Sequence, residues 1–165
     1  MDSLRLPARE SSLPELMRLA QDCAERAGLD ELAVQRVELV LEEALANIIH
    51  HAYPHSEADA PAAAGGDAPP GTPDTTPRAC DVALDCAVEP GELTLTITDW
   101  GPPFDPVRPT EHDVDLAANL EADLDSRAPG GLGLILIRSM SQATYRREQE
   151  ANVLTLRFPH QDCDC

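Results

Sequence analysis

Apolar side chains recur along the first fifty residues at two different periods. Leu4 and Leu6 alternate with polar neighbours, the two-residue period of a short strand. The spacing then changes. A helix is expected to start near Ser12, to carry Pro14 in its first turn and to stop at Gly28, because proline suits a first turn and glycine a helix end. Asp30 is placed to cap a long second helix whose apolar stripe is Val34, Val37, Leu41, Leu45 and Ile48, with Pro54 as its stop.

The second half of the chain returns to alternation. Residues 79–88 and 93–98 form two strands, and the turn Glu89-Pro90-Gly91-Glu92 makes them a hairpin. Residues 105–127 are irregular and acidic. An apolar helix spans 132–140, and a closing hairpin pairs 143–147 with 153–158. No internal repeat is present. Helices gathered against a mostly antiparallel sheet give an α+β chain, a two-layer α/β sandwich with its helices on one face.

Residues 56–78 break the pattern. The stretch is built from Ala, Pro, Gly, Asp and Thr and lacks Val, Ile, Leu and aromatic residues. It cannot bury enough surface to offset its ordering entropy, so it reads as a mobile insertion in a single domain spanning 1–165.

Charge narrows the function classes. Acids outnumber bases 30 to 12, the formal net charge is -18, and every one of the twelve cations is Arg. That field repels phosphate backbones and anionic lipid, which argues against nucleic-acid and membrane partners. The absence of Lys excludes a P-loop, whose lysine reaches the phosphates. With no long apolar run and no basic-then-apolar leader, a cytoplasmic location is the expectation. Five cysteines fit poorly with a disulfide framework. Cys80 and Cys86 share a strand face with Val82, Leu84 and Val88, which predicts packing. Cys163 and Cys165 form a Cys-x-Cys pair, and two ligands do not make a zinc site.

Three segments carry chemistry. In the second helix Asn47 follows Glu43 by one turn, so the carboxylate and the carboxamide point the same way. They can serve a metal and a nucleophile. His51 shares that face and His50 lies one position off it; both read as hydrogen-bonding residues at a helix end. The second strand ends in Asp99-Trp100-Gly101-Pro102-Pro103-Phe104-Asp105. A carboxylate there can accept from an exocyclic amine such as that of adenine, and Gly101 lets a flat ring approach. Last, Gly130-Gly131-Leu132-Gly133-Leu134 opens a helix with unpaired N–H groups that suit an anion such as phosphate.

These motifs occur once each and in this order, and the chain thereby resembles the Bergerat-fold (GHKL) ATPases. It is most similar to their small anti-sigma-factor serine/threonine kinase branch. Residues 43–53 resemble that branch's N-box. Asp99 to Pro106 resembles its first glycine box, residues 130–137 the second, and Asn152-Val153-Leu154-Thr155-Leu156 its closing strand.

The resemblance implies ATP and Mg²⁺ as cofactors. By it, Asn47 binds the metal, Glu43 is the catalytic base, and Asp99 selects adenine beside Gly101 and Phe104. The opening of the last helix, Gly130, Gly131, Gly133 and Leu134, meets the phosphates together with Arg127. Residues 105–129 take the place of the ATP lid, with the acidic run facing water or a basic partner. The implied activity is an ATP-dependent serine/threonine protein kinase that phosphorylates a small STAS-like anti-sigma-factor antagonist and works by partner switching. A sigma factor or another regulator is the released target, and a homodimer is a family expectation. Two rivals stay open: a nucleotide-gated module that sequesters a partner without phosphorylating it, and a detached histidine-kinase ATP domain.

Overall fold

The computed structural model describes residues 1–52, 80–108 and 131–160. The elements run β1 (Asp2–Pro7), a 3₁₀ turn (Glu10–Ser12), α1 (Leu13–Arg26), α2 (Glu31–Asn47), a widened π turn (Ile48–Ala52), β2 (Asp81–Glu89), β3 (Glu92–Asp99), α3 (Gly131–Met140), β4 (Gln142–Glu148) and β5 (Ala151–Pro159). The described strands form a five-stranded antiparallel sheet in the order β1-β2-β3-β5-β4.

Local chemistry explains the boundaries. Pro14 lies in the first turn of α1, and Gly28 adopts φ 73° just beyond its end, a conformation glycine takes at little steric expense. Asp30 caps α2 as expected, its carboxylate accepting from the Ala33 N–H at 2.8 Å. Gly91 turns the β2–β3 hairpin with φ 76°, following a proline whose ring fixes its own φ.

The helices cover one face of the sheet. Leu16, Ala20, Cys23 and Ala24 of α1 and Val37, Val40, Leu41, Ala44 and Leu45 of α2 meet Val82, Leu84, Cys86, Leu93, Leu95, Ile97, Leu154, Leu156 and Phe158 in one buried cluster. Each large side chain buried there contributes about 1.5–3 kcal/mol relative to exposure. α2 lies between α1 and α3 and touches both. That central place is what lets its far end serve a site.

The opposite face is polar and rich in threonine, with Thr94, Thr96 and Thr98 on β3 half-buried. There Arg5 pairs with Asp81 at 3.2 Å and stacks on Trp100 with its guanidinium carbon 4.5 Å from the ring centre.

Three expectations change. Cys86 is buried, but β2 begins at Asp81 and Cys80 is exposed in the turn before it. Val88 is 40% exposed near the end of β2, beyond the last residue that pairs with β1. The α-helical geometry of α2 ends at Asn47, and five further residues continue as the π turn. The predicted insertion, Cys163, Cys165 and the lid beyond Arg108 lie outside the described residues. Among the described residues no helix is long and apolar enough to cross a membrane.

Candidate functional site

The site lies where the end of α2 meets the ends of β3 and β5 and the start of α3. A narrow cleft is lined there by Ala44, Asn47, Ile48, Asp99, Phe104, Pro106, Tyr145, Asn152 and Leu154.

Glu43 and Asn47 stand one turn apart on α2, as their spacing predicts. Glu43 is half-buried and lies against α3: a β-carbon added at Gly133 would overlap its carboxylate. The glycine is therefore needed for close approach. Because Gly133 sits in the first turn of α3, the Glu43 carboxylate rests near the positive end of that helix. Asn47 is the last α-helical residue before the π turn, a kind of irregularity that recurs at functional sites. Its Nδ2 is buried with no hydrogen-bond partner among the described residues. Leaving such a group unmet costs about 1–3 kcal/mol. The carboxamide can turn to present either its oxygen or its nitrogen, so an unpartnered side chain in the cleft fits a ligand or a metal ion. Of the helix-end histidines, His50 is exposed and approaches Glu10 at 3.7 Å, and His51 is also exposed.

Asp99 ends β3 and is only 5% exposed. Its Oδ1 accepts from the Gly101 N–H at 2.8 Å and from Asn152 Nδ2 at 2.9 Å. Oδ2 accepts nothing among the described residues. Burial pushes the carboxyl above its ordinary value of 3.8, opposed by the Asn152 bond, the Gly101 N–H and the charge of Arg147. Gly101 is also required for proximity, since a β-carbon there would come within 2.7 Å of Ala52 Cβ and 3.0 Å of Asp99 Oδ1.

Of the remaining expected residues, Phe104 stands at the cleft with 44% of its surface exposed. Leu134 is half-buried and packs on the core. Gly131 opens α3. Arg127 and Gly130 lie outside the described residues. The start of the expected lid is pinned. Asp105 Oδ1 accepts from the N–H groups of Val107 and Arg108, while Arg138 of α3 donates to the carbonyls of Pro106 and Arg108.

Sequence reasoning missed Asn152 as a site residue, together with Tyr145 and Arg147. Tyr145 Oη and Arg147 Nη1 each donate to Asn152 Oδ1 at 2.8 Å, and Arg147 Nη1 also donates to the Gly101 carbonyl at 2.9 Å. One signal was available. Asn152 shares its strand face with Leu154, Leu156 and Phe158, and a polar residue at an inward position needs an explanation. Chemically, the cleft offers an acceptor for an amine at one end. Towards the other it offers the Asn47 carboxamide, and one turn back along α2 the Glu43 carboxylate lies against the start of α3.

Family comparison gives the class of the domain. The model of the histidine kinase-like ATPase domain matches residues 6–158. The chain belongs to that family, a GHKL-type ATP-binding domain with an α+β sandwich fold. Among solved structures, a chain of the SiaB–SiaC complex from Pseudomonas aeruginosa shares the fold with a TM-score of 0.59 at 14% identity, covering 96% of this chain and 89% of its own. The histidine kinase AdeS of Acinetobacter baumannii aligns with a TM-score of 0.45 at 14% identity, over 98% of this chain and 69% of its own. No curated protein matches the chain in sequence.

Proposed function

We propose that this domain is an ATP-dependent serine/threonine protein kinase of the anti-sigma-factor type. Its substrate is a small STAS-like antagonist protein, and it acts by switching partners. The observation that carries this reading is the double placement made by α2. Glu43 reaches the glycine turn that opens α3, and Asn47, one turn later, lines the same cleft as Asp99.

Asp99 takes the adenine amine on its unused oxygen, and Gly101 keeps the neighbouring backbone flat enough for the ring. Asn47 is the residue that would hold Mg²⁺, which would supply positive charge to offset that of the phosphates. That offset matters in a chain of net charge -18. The N–H groups around Gly131 and Gly133 suit the phosphate oxygens. Glu43 accepts the proton of the incoming serine or threonine hydroxyl as its oxygen bonds to the γ-phosphorus. The bond from that phosphorus to the bridging oxygen breaks, and ADP leaves. A partner protein is consistent with the SiaB–SiaC neighbour, which was crystallised as a complex.

The test is transfer of labelled phosphate from ATP to a purified antagonist. The kinase reading requires an acid-stable phosphoserine or phosphothreonine, with Glu43→Gln abolishing transfer but retaining partner binding. An acid-labile product would instead indicate phosphohistidine. Regulation that proceeds unchanged in Glu43→Gln would give the protein to the sequestering module.

A further inference from the structure

The cleft contains a side-chain network whose hydrogen bonds are completed in one orientation. Asn152 is 5% exposed, and its carboxamide uses both ends. Oδ1 receives Tyr145 and Arg147, each at 2.8 Å. Nδ2 donates to Asp99 Oδ1 and to the Pro102 carbonyl, each at 2.9 Å, with the Gly101 carbonyl at 3.5 Å. Guanidinium donates and never accepts. Both sides therefore impose the same orientation: the oxygen faces Arg147, which can only donate, and the nitrogen faces Asp99 and the Pro102 carbonyl, which accept.

We propose that Asn152, oriented by Arg147 and Tyr145, is a positioning residue that fixes Asp99 and thereby sets the preference for a purine bearing a 6-amino group. The inference rests on the reading of Asp99 as the adenine acceptor. Three features make the arrangement directional. The Asn152 and Gly101 donors both go to Oδ1, which commits that oxygen to the protein and leaves Oδ2 to the ligand. Arg147 Nη1 also binds the Gly101 carbonyl, so one cation ties the glycine segment and the carboxamide together. From the opposite face of the sheet Arg5 stacks on Trp100, which holds the residue between Asp99 and Gly101 from its other side. With Arg147 gone, Asn152 Oδ1 loses one of its two donors and the Gly101 carbonyl loses its tie, so the carboxamide and the glycine segment that hold Asp99 are fixed less firmly.

The experiment compares ATP with purine riboside 5′-triphosphate, which is the same molecule without the 6-amino group. Calorimetry in Mg²⁺ would use the native protein, Asn152→Leu, Arg147→Met and Arg147→Lys. The native protein should prefer ATP by roughly 10- to 100-fold, the range of a hydrogen bond to a charged group. In Asn152→Leu and Arg147→Met that preference should collapse to about threefold or less, the range expected once the amine bond is no longer directed. The loss should fall on ATP alone, and the analogue should bind as before. Arg147→Lys keeps a donor and should recover part of the preference. Arg147 stands on the edge strand β4, so its variants decide the matter even where the buried Asn152→Leu fails to fold.

If the native protein discriminates and the variants discriminate equally well, the positioning role is wrong. It is also wrong if both nucleotides weaken together, which is what a merely structural role would give. If the native protein does not discriminate, the adenine assignment of Asp99 falls first and takes this inference with it.

Discussion

Two neighbouring rows on the covered face of the sheet differ by one register step and by their chemistry. In the first row Leu84, Ile97, Leu154 and Tyr145 lie side by side across β2, β3, β5 and β4. In the next, Val82, Asp99, Asn152 and Arg147 occupy the same four strands. Leu84, Ile97 and Leu154 are buried and satisfied by packing alone. Asp99 and Asn152 are just as buried, and polar groups so placed must be hydrogen-bonded to be tolerated. The network meets that demand at Asn152 and at Asp99 Oδ1, while across the cleft the buried Asn47 Nδ2 has no hydrogen-bond partner among the described residues. Packing explains Leu84, Ile97 and Leu154 without a ligand. The second row carries a polar network that Tyr145 joins from the first, and with the unpartnered Asn47 Nδ2 beside the same cleft it makes this the candidate binding site.

Substitutions in the two rows should separate stability from binding. In the apolar row, Ile97→Ala should cost about 2–5 kcal/mol of unfolding free energy in urea, with little change in ATP affinity for the folded fraction. In the polar row the pattern should invert. Asp99→Asn should lower ATP affinity roughly 10- to 100-fold, while stability at neutral pH stays the same or rises. The sign follows from the raised carboxyl value. The folded state holds the Asp99 proton more tightly than the unfolded state, so the contribution of this group falls as pH rises from 3.8 upward. Urea titrations across pH should show that decline in the native protein and its absence in Asp99→Asn.

The two close-approach glycines sharpen the comparison. Gly101→Ala drives a methyl against Ala52 Cβ, which is fixed to the backbone, and should cost about 1–3 kcal/mol. Gly133→Ala meets the end of the Glu43 side chain, which can swing aside. It should leave stability within about 1 kcal/mol, since alanine also favours the helix, yet reduce phosphoryl transfer if Glu43 is the base proposed above. Melting curves and transfer rates on the same samples would separate the two. The smallest effect concerns the hairpin that brings Arg147 opposite Asn152. Gln149 sits there with φ 53°, and Gln149→Gly should raise stability by about 1 kcal/mol, read as a higher urea midpoint with ATP affinity unchanged.

Much of this arrangement was legible in the sequence, for physical reasons that also set the limits. Alternation and helix caps reveal periods, so β1, the Asp30 cap and the β2–β3 hairpin could be read directly. A period does not say where a strand begins or where it outruns its neighbour, which is why Cys80, before β2, and Val88, beyond the end of β1, were expected in the core. Glu43 and Asn47 could be paired because one helical turn relates them. The π turn could not be foreseen, since its widened hydrogen bonding has no periodic signature. Asp99 stood out by its glycine neighbour. Asn152 did not, because its role comes from register: only the pairing of β5 with β3 and β4 places it between Asp99 and Arg147.

The proposed ATP site is built by the polar row and the end of α2 together. The most direct measurement of it is calorimetry of ATP binding with and without Mg²⁺, on the native protein and on Asn47→Ala. Mg²⁺ should strengthen ATP binding to the native protein, and Asn47→Ala should abolish this gain. A native protein that binds no ATP, or an Asn47→Ala variant that keeps the full Mg²⁺ dependence, would contradict that assignment.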